Sequence, residues 1–210
     1  PRDWVPDDRA LQDCLDQGGT IRLEPGLPGY IVNGLDGDVR TGVQLKKSLT
    51  VLTSAAGGVA KIVAGRDFYG TVLTMAHGLS NVVIRNMYFD GMVDTMVDGL
   101  PYRRRREECG VGASTGLVVM EGTDFIFERN VVVRAMCGSG LGVSGSDFLV
   151  VNNYVAHNGR DKNARIAGFP WSDGITVLHC LRGYIAHNVL IDNTDIDLVI
   201  CGVDNNETRI

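Results

Sequence analysis

The stretch Gly116–Ala135, GLVVMEGTDFIFERNVVVRA, decides the fold once it is set beside three others. They are Thr71–Gly91 (TVLTMAHGLSNVVIRNMYFDG), Gly140–Gly159 (GLGVSGSDFLVVNNYVAHNG) and Gly174–Asn193 (GITVLHCLRGYIAHNVLIDN). Each opens with a short strand of alternating apolar residues and turns through two to four residues, often Gly or Asp. A second apolar strand follows, then an Asn, then a third strand. The Asn keeps its phase: Leu73 to Asn86, Leu117 to Asn130 and Ile175 to Asn188 are each thirteen positions, and Leu141 to Asn153 is twelve. Repeats of this size bury their apolar faces only by stacking on one another. The reading is an all-β chain, a single-stranded right-handed parallel β-helix with coils of about 20–24 residues. Period-2 alternation points Leu117 and Val119, Leu141 and Val143, and Ile175 and Val177 inward. Asn86, Asn130, Asn153 and Asn188 are expected to stack as an amide column at the second-to-third strand turn, since Asn tolerates left-handed backbone. A β-sandwich also uses short alternating strands but gives no reason for Asn at a fixed phase.

Outward from these repeats, Asp7–Gly18 (DDRALQDCLDQG) reads as a short α-helix with Ala10, Leu11, Cys14 and Leu15 on one face, stopped at Gly18–Gly19. Such a helix covers an open first coil, as terminal repeats require. The chain thus reads as one β-helix domain over 1–210, with a cap at 1–19 and coils over 20–210. Twenty-seven glycines in 210 residues, with six prolines, suit many short strands joined by tight turns. The net charge of −5 and 44% apolar content exclude disorder and a nucleic-acid-coating role. No apolar run reaches the roughly 18–20 residues of a membrane helix, so no membrane insertion is expected. No charged segment followed by an apolar stretch opens the chain; an extracellular or periplasmic location is nonetheless the expectation. Of the five cysteines, none forms a CxxC pair, and Cys180 and Cys201 are expected to stack in adjacent coils. Nothing after Asp195 resembles the N-terminal cap. The open end is therefore expected to be covered by a further C-terminal segment or a second chain.

The segments ALQDCLDQGGTIRLEPGLPGYIVNG (10–34), TGVQLKKSLTVLTS (41–54) and LSNVVIRNMYFDG (79–91) resemble the pectate-lyase-like superfamily. That group holds polysaccharide lyases, polygalacturonase-type hydrolases, uronan epimerases and phage tailspikes. The resemblance implies a β-helix with a glycan groove beside the sheet of first strands. It leaves the chemistry open, because function on a shared scaffold lives in the site. DNTDID (192–197) looks like the first acidic motif of polygalacturonases, but that family's later motifs do not follow before Ile210.

Two insertions, 92–115 and 160–172, fall at the same phase, between a third strand and the next first strand, and would wall the groove. If Ile196 and Leu198 face inward, Asp195 and Asp197 face the groove two residues apart on one strand, with Asp173 and Asp192 close by. Asp173, Asp195 and Asp197 are candidate acid/base groups, and Asp192, Asp195 and Asp197 a candidate calcium set. His157 and Arg134 share a position four after the column Asn; His157 is a candidate base and Arg134 a candidate carboxylate neutraliser. Arg103, Arg104, Arg105 and Arg106, with Arg160, Lys162 and Trp171, are candidate substrate-binding residues for an acidic polysaccharide. These residues suit a protein that binds such a polysaccharide and cleaves or epimerises it. The alternative is a non-catalytic structural or glycan-binding β-helix, such as a cell-surface or tailspike-like segment.

Overall fold

A computed structural model of the chain describes residues 4–93, 95–97, 100–101, 116–136, 138–159, 172–201 and 207–210. Three six-stranded sheets run the length of the molecule, and each adds its strands in chain order. First strands are Thr41–Leu45, Thr71–Ser80, Gly116–Thr123, Ser139–Ser146, Ile175–Leu181 and Leu198–Cys201. Second strands are Thr20–Leu23, Val51–Ser54, Val83–Arg85, Ile126–Glu128, Leu149–Val151 and Tyr184–Ala186. Third strands are Tyr30–Val32, Ala60–Ala64, Met87–Asp90, Val131–Val133, Tyr154–Ala156 and Val189–Ile191. Every neighbouring pair within these sheets is parallel, with no intervening strand, which is the parallel β-helix that the repeats predict.

Columns of like residues fill the interior. Leu73, Val118, Leu141, Ile175 and Leu198 share one column of the first-strand sheet; Met75, Met120, Val143, Val177 and Ile200 share the next, all buried except Leu198, which is half-buried, and Ile200, which is exposed. The inward residues of the Gly116–Thr123 strand are therefore Val118 and Met120, not Leu117 and Val119. All of Leu117–Met120 are buried, so this strand shows no apolar/polar alternation from which its facing could be read. Phe125 and Phe148 stack at 5.2 Å between ring centroids. Gly183 continues that column because a Cβ there would lie 2.1 Å from the Phe148 ring.

The N-terminal helix spans Asp8–Leu15 and buries Leu11 and Leu15 against the first coil. Ala10 is exposed, and Gln12, a polar residue, is buried instead. Its amide accepts from the Gln44 N–H at 2.8 Å and donates to the Gln44 carbonyl at 2.9 Å. The side chain thus mimics one more strand and satisfies the sheet edge. Asp7 and Asp8 do not cap the helix through their side chains; their carboxylates accept from the backbone of Ile31, Asn33 and Gly34 and tie the helix to the coil.

The amide column exists with one change of membership. Asn130 Oδ1 accepts from the Met87 N–H at 3.0 Å, Asn153 Oδ1 from the Asn130 N–H at 2.9 Å, and Asn188 Oδ1 from the Asn153 N–H at 2.9 Å. Met87 occupies the position expected for Asn86, which sits one residue earlier with φ 55°. The cause is two extra residues in the Thr71–Ser80 strand: Leu73 pairs with Val118, yet Leu79 pairs with Gly122. His179 likewise adds one residue to the Ile175 coil. The twelve-residue spacing is therefore the unbulged one. Cys180 in turn pairs with Gly145, whereas Cys201 pairs with Leu178, so the two do not stack; Cys180 is buried and Cys201 exposed.

Truncating Asn153 to Ala removes the acceptor of the Asn130 N–H and the donor to the Phe127 carbonyl. The expected loss in urea unfolding is about 1–3 kcal/mol. Asn86→Gly keeps the left-handed backbone and is expected to change stability by less than about 0.5 kcal/mol. Equal losses for the two variants would contradict this column.

Candidate functional site

The third corner of each coil links a third strand to the next first strand, and both insertions begin there. A second amide column builds its floor. Asn158 Oδ1 accepts from the Ala135 N–H at 2.9 Å, and Asn193 Oδ1 accepts from Asn158 Nδ2 at 2.8 Å. Gly159 permits the close approach of the next turn: with φ 86°, a Cβ there would meet Thr194 Oγ1 at 2.0 Å. The Asp195 N–H donates to the Ser172 carbonyl, and the Gly174 and Ile175 N–H groups donate to the Ile196 and Asp197 carbonyls. The turn that carries Asp195 is thereby laid on the segment that carries Asp173.

Asp173 is buried, at 6% exposure. Its Oδ2 accepts from the Thr176 hydroxyl at 2.9 Å, and Thr176 Oγ1 also makes a short hydrogen bond with Ser139 Oγ. Its Oδ1 is buried and has no hydrogen-bond partner among the described residues. Burial raises the Asp173 pKa above the ordinary carboxylate range. The Thr176 hydroxyl draws it back, the charge of Asp195 raises it further, and the nearby Ile196 N–H offsets part of that. This is a carboxyl held toward its neutral form, the state a proton donor needs.

The other expected residues are placed differently. Asp195 and Asp197 do not share a face of a strand: both are exposed in the bend before Leu198–Cys201. Leu198, not Ile196, is the partner of Ile175, so Val199 takes the outward position beside Thr176. Asp197 Oδ1 accepts from Asn193 Nδ2 at 2.7 Å. Asp192 is exposed and lies 3.7 Å from His157 Nδ1. No group of three His, Cys, Asp or Glu residues close enough to hold a metal occurs among the described residues, which include Asp192, Asp195 and Asp197.

Arg134 and His157 do share a column, but Asp90 lies one position before it, paired with Val133. Arg134 forms a two-pronged ion pair with the buried Asp90, its Nε donating to Oδ1 at 2.9 Å and its Nη2 to Oδ2. It lines an open cleft of about 430 Å³ with Trp4 and Lys61, on the outer face of the third-strand sheet and away from Asp173. Arg103, Arg104, Arg105, Arg106, Arg160, Lys162 and Trp171 lie outside the described residues. Sequence reasoning missed Ser139, Thr176 as the partner of Asp173, and the Asn158–Asn193 column. The last was visible: both stand five residues after a column Asn.

No protein-family model matches the chain, and a search of curated proteins finds no match. Among solved structures, the chain is similar to the enzymatically active domain of tailspike protein 2 of bacteriophage CBA120. Identity is 11% and the TM-score 0.35, over 95% of this chain and 40% of that one. At that identity and TM-score, nothing about activity passes from one to the other.

A raised folded-state pKa means that the contribution of Asp173 to stability is full below the unfolded carboxyl pKa. It is lost as pH rises through the folded value. Asp173→Asn, which cannot ionise, is therefore expected to gain melting temperature relative to the unsubstituted protein as pH rises above the ordinary carboxyl pKa of about 4. A difference that stays constant as pH rises would contradict the raised pKa of this buried carboxyl.

Proposed function

We propose that this chain is a polysaccharide-processing β-helix that cleaves a glycosidic bond at the third corner, with Asp173 as the proton donor. The observation that carries the reading is the buried carboxyl of Asp173, raised toward neutrality, with one oxygen unengaged. Glycoside hydrolysis uses two carboxyl groups, one protonating the leaving oxygen and the other activating or replacing water. Asp195 supplies the second: its charge acts on Asp173, and it is exposed on the adjoining turn. The resemblance to the pectate-lyase-like superfamily supports a glycan substrate. The four consecutive arginines Arg103–Arg106 favour an acidic one, because guanidinium groups grip carboxylates in a two-pronged fashion. A carboxyl of raised pKa at the corner suits protonation of a leaving oxygen, so hydrolysis is favoured over β-elimination and over epimerisation.

The test is incubation with a panel of acidic and neutral polysaccharides, following new reducing ends and unsaturated uronate separately. Reducing ends without unsaturated product are expected, with kcat in Asp173→Asn lowered by roughly 100-fold or more. Activity is expected to fall as pH rises through the raised Asp173 pKa, since the acid form is consumed. Unsaturated product, or full activity in Asp173→Asn, would overturn the hydrolytic reading. Saturable glycan binding without turnover would leave the non-catalytic alternative.

A further inference from the structure

The hydroxyl chain beside Asp173 has a direction. Thr176 Oγ1 donates its one proton to Asp173 Oδ2. It therefore has none left for Ser139, so in the Ser139–Thr176 hydrogen bond Ser139 is the donor. The order is Ser139 O–H to Thr176 Oγ1, then Thr176 O–H to Asp173 Oδ2. An ionised carboxylate requires that order, since it only accepts. The order survives protonation unchanged if the proton lies on Oδ1, which accepts no hydrogen bond among the described residues. Neither hydroxyl then has to rotate when Asp173 gains or loses a proton.

We infer that Thr176, oriented by Ser139, is a positioning residue that occupies Oδ2 and confines the exchangeable proton of Asp173 to Oδ1. The inference deepens the reading of Asp173 as proton donor and rests on it only for its catalytic meaning. Ser139 and Asp173 occupy equivalent places in adjacent coils, two residues ahead of the paired Leu141 and Ile175, and Thr176 is the first outward residue of the Ile175–Leu181 strand. Ser139 and Thr176 are thus fixed by sheet register, and the Asp173 carbonyl accepts from the Gly140 N–H of the preceding coil. The charged group that acts on Asp173 from the neighbouring turn is Asp195; Asp197 on that turn is held by Asn193. Loss of the Thr176 hydroxyl removes a donor that favours the carboxylate and leaves burial and Asp195 to act with less opposition.

The test is a carbon-13 NMR titration of the Asp173 carboxyl in the intact chain, which needs no substrate. In Thr176→Val the midpoint is expected to move up by about one pH unit. Thr176→Ser, which keeps the hydroxyl, should return it to the unsubstituted value. Ser139→Ala should move it in the same direction by less. A midpoint unchanged or lowered in Thr176→Val would overturn the inference, as would a Thr176→Ser variant that behaves like Thr176→Val. Should Thr176→Val fail to fold, Ser139→Ala decides: an upward shift supports the chain and an unchanged midpoint refutes it. An upward NMR shift in a protein that cleaves no glycan would refute the proposed hydrolysis and leave the assignment of Oδ2 and Oδ1 intact.

Discussion

Every coil has to turn three times without leaving the hydrogen-bond ladder, and left-handed backbone at the corners makes that possible. Leu49, Asn81, Asp124, Asp147 and Arg182 form one such column, Asn86, Arg129, Asn152 and His187 a second, and Arg134, His157 and Asp192 a third. All have φ between 51° and 58°. Non-glycine residues adopt this conformation at a cost of roughly 1–2 kcal/mol each. The offset is pairing: the N–H groups of Asn81, Asn152 and His157, for example, donate to the carbonyls of Thr123, Ala186 and Ile191 in the next coil. The ladder therefore passes through the corner instead of stopping at it. Polar residues dominate these columns because their side chains project from the corner toward solvent, and Asn and Asp tolerate the conformation best.

Amides lock the inside of two of the three corners. The Asn130–Asn153–Asn188 column binds backbone that faces inward between second and third strands, and Asn158–Asn193 does the same between third and first strands. The second column matters for chemistry. It seats the Thr194–Asp197 turn on the segment before Ile175, and that seating buries Asp173 while bringing the charge of Asp195 to bear on it. A carboxyl on a loop open to solvent would ionise near its ordinary pKa; one held beneath a pinned turn does not. His157 and Asp192 occupy left-handed corner positions in the same coils, so their backbone role is set before any role for their side chains.

Sequence periodicity was sufficient for the architecture because the strands repeat with the coil and the Asn positions mark its phase. It was insufficient wherever a strand carries extra residues. Two in Thr71–Ser80 leave apolar spacing plausible in either register, which misplaced Asn86 by one position. The Cys180–Cys201 pair was misplaced by two for a different reason: Ile175 pairs with Leu198 and not with Ile196, and the same offset put Asp195 and Asp197 on a strand that begins at Leu198. Asp173 was legible as an acid beside the second insertion. Its burial was not, because it depends on a turn from the following coil. Nor was its link to Ser139, thirty-four residues earlier, which only the sheet register brings alongside.

Whether the corner amides fix the register of the coils is measured most directly by scalar couplings across hydrogen bonds, between backbone nitrogens and side-chain carbonyl carbons. The account predicts couplings from Met87 N to Asn130 Cγ, from Asn130 N to Asn153 Cγ and from Asn153 N to Asn188 Cγ, with none to Asn86 Cγ. A coupling into Asn86 Cγ, or silence at all three positions in a folded sample, would contradict it.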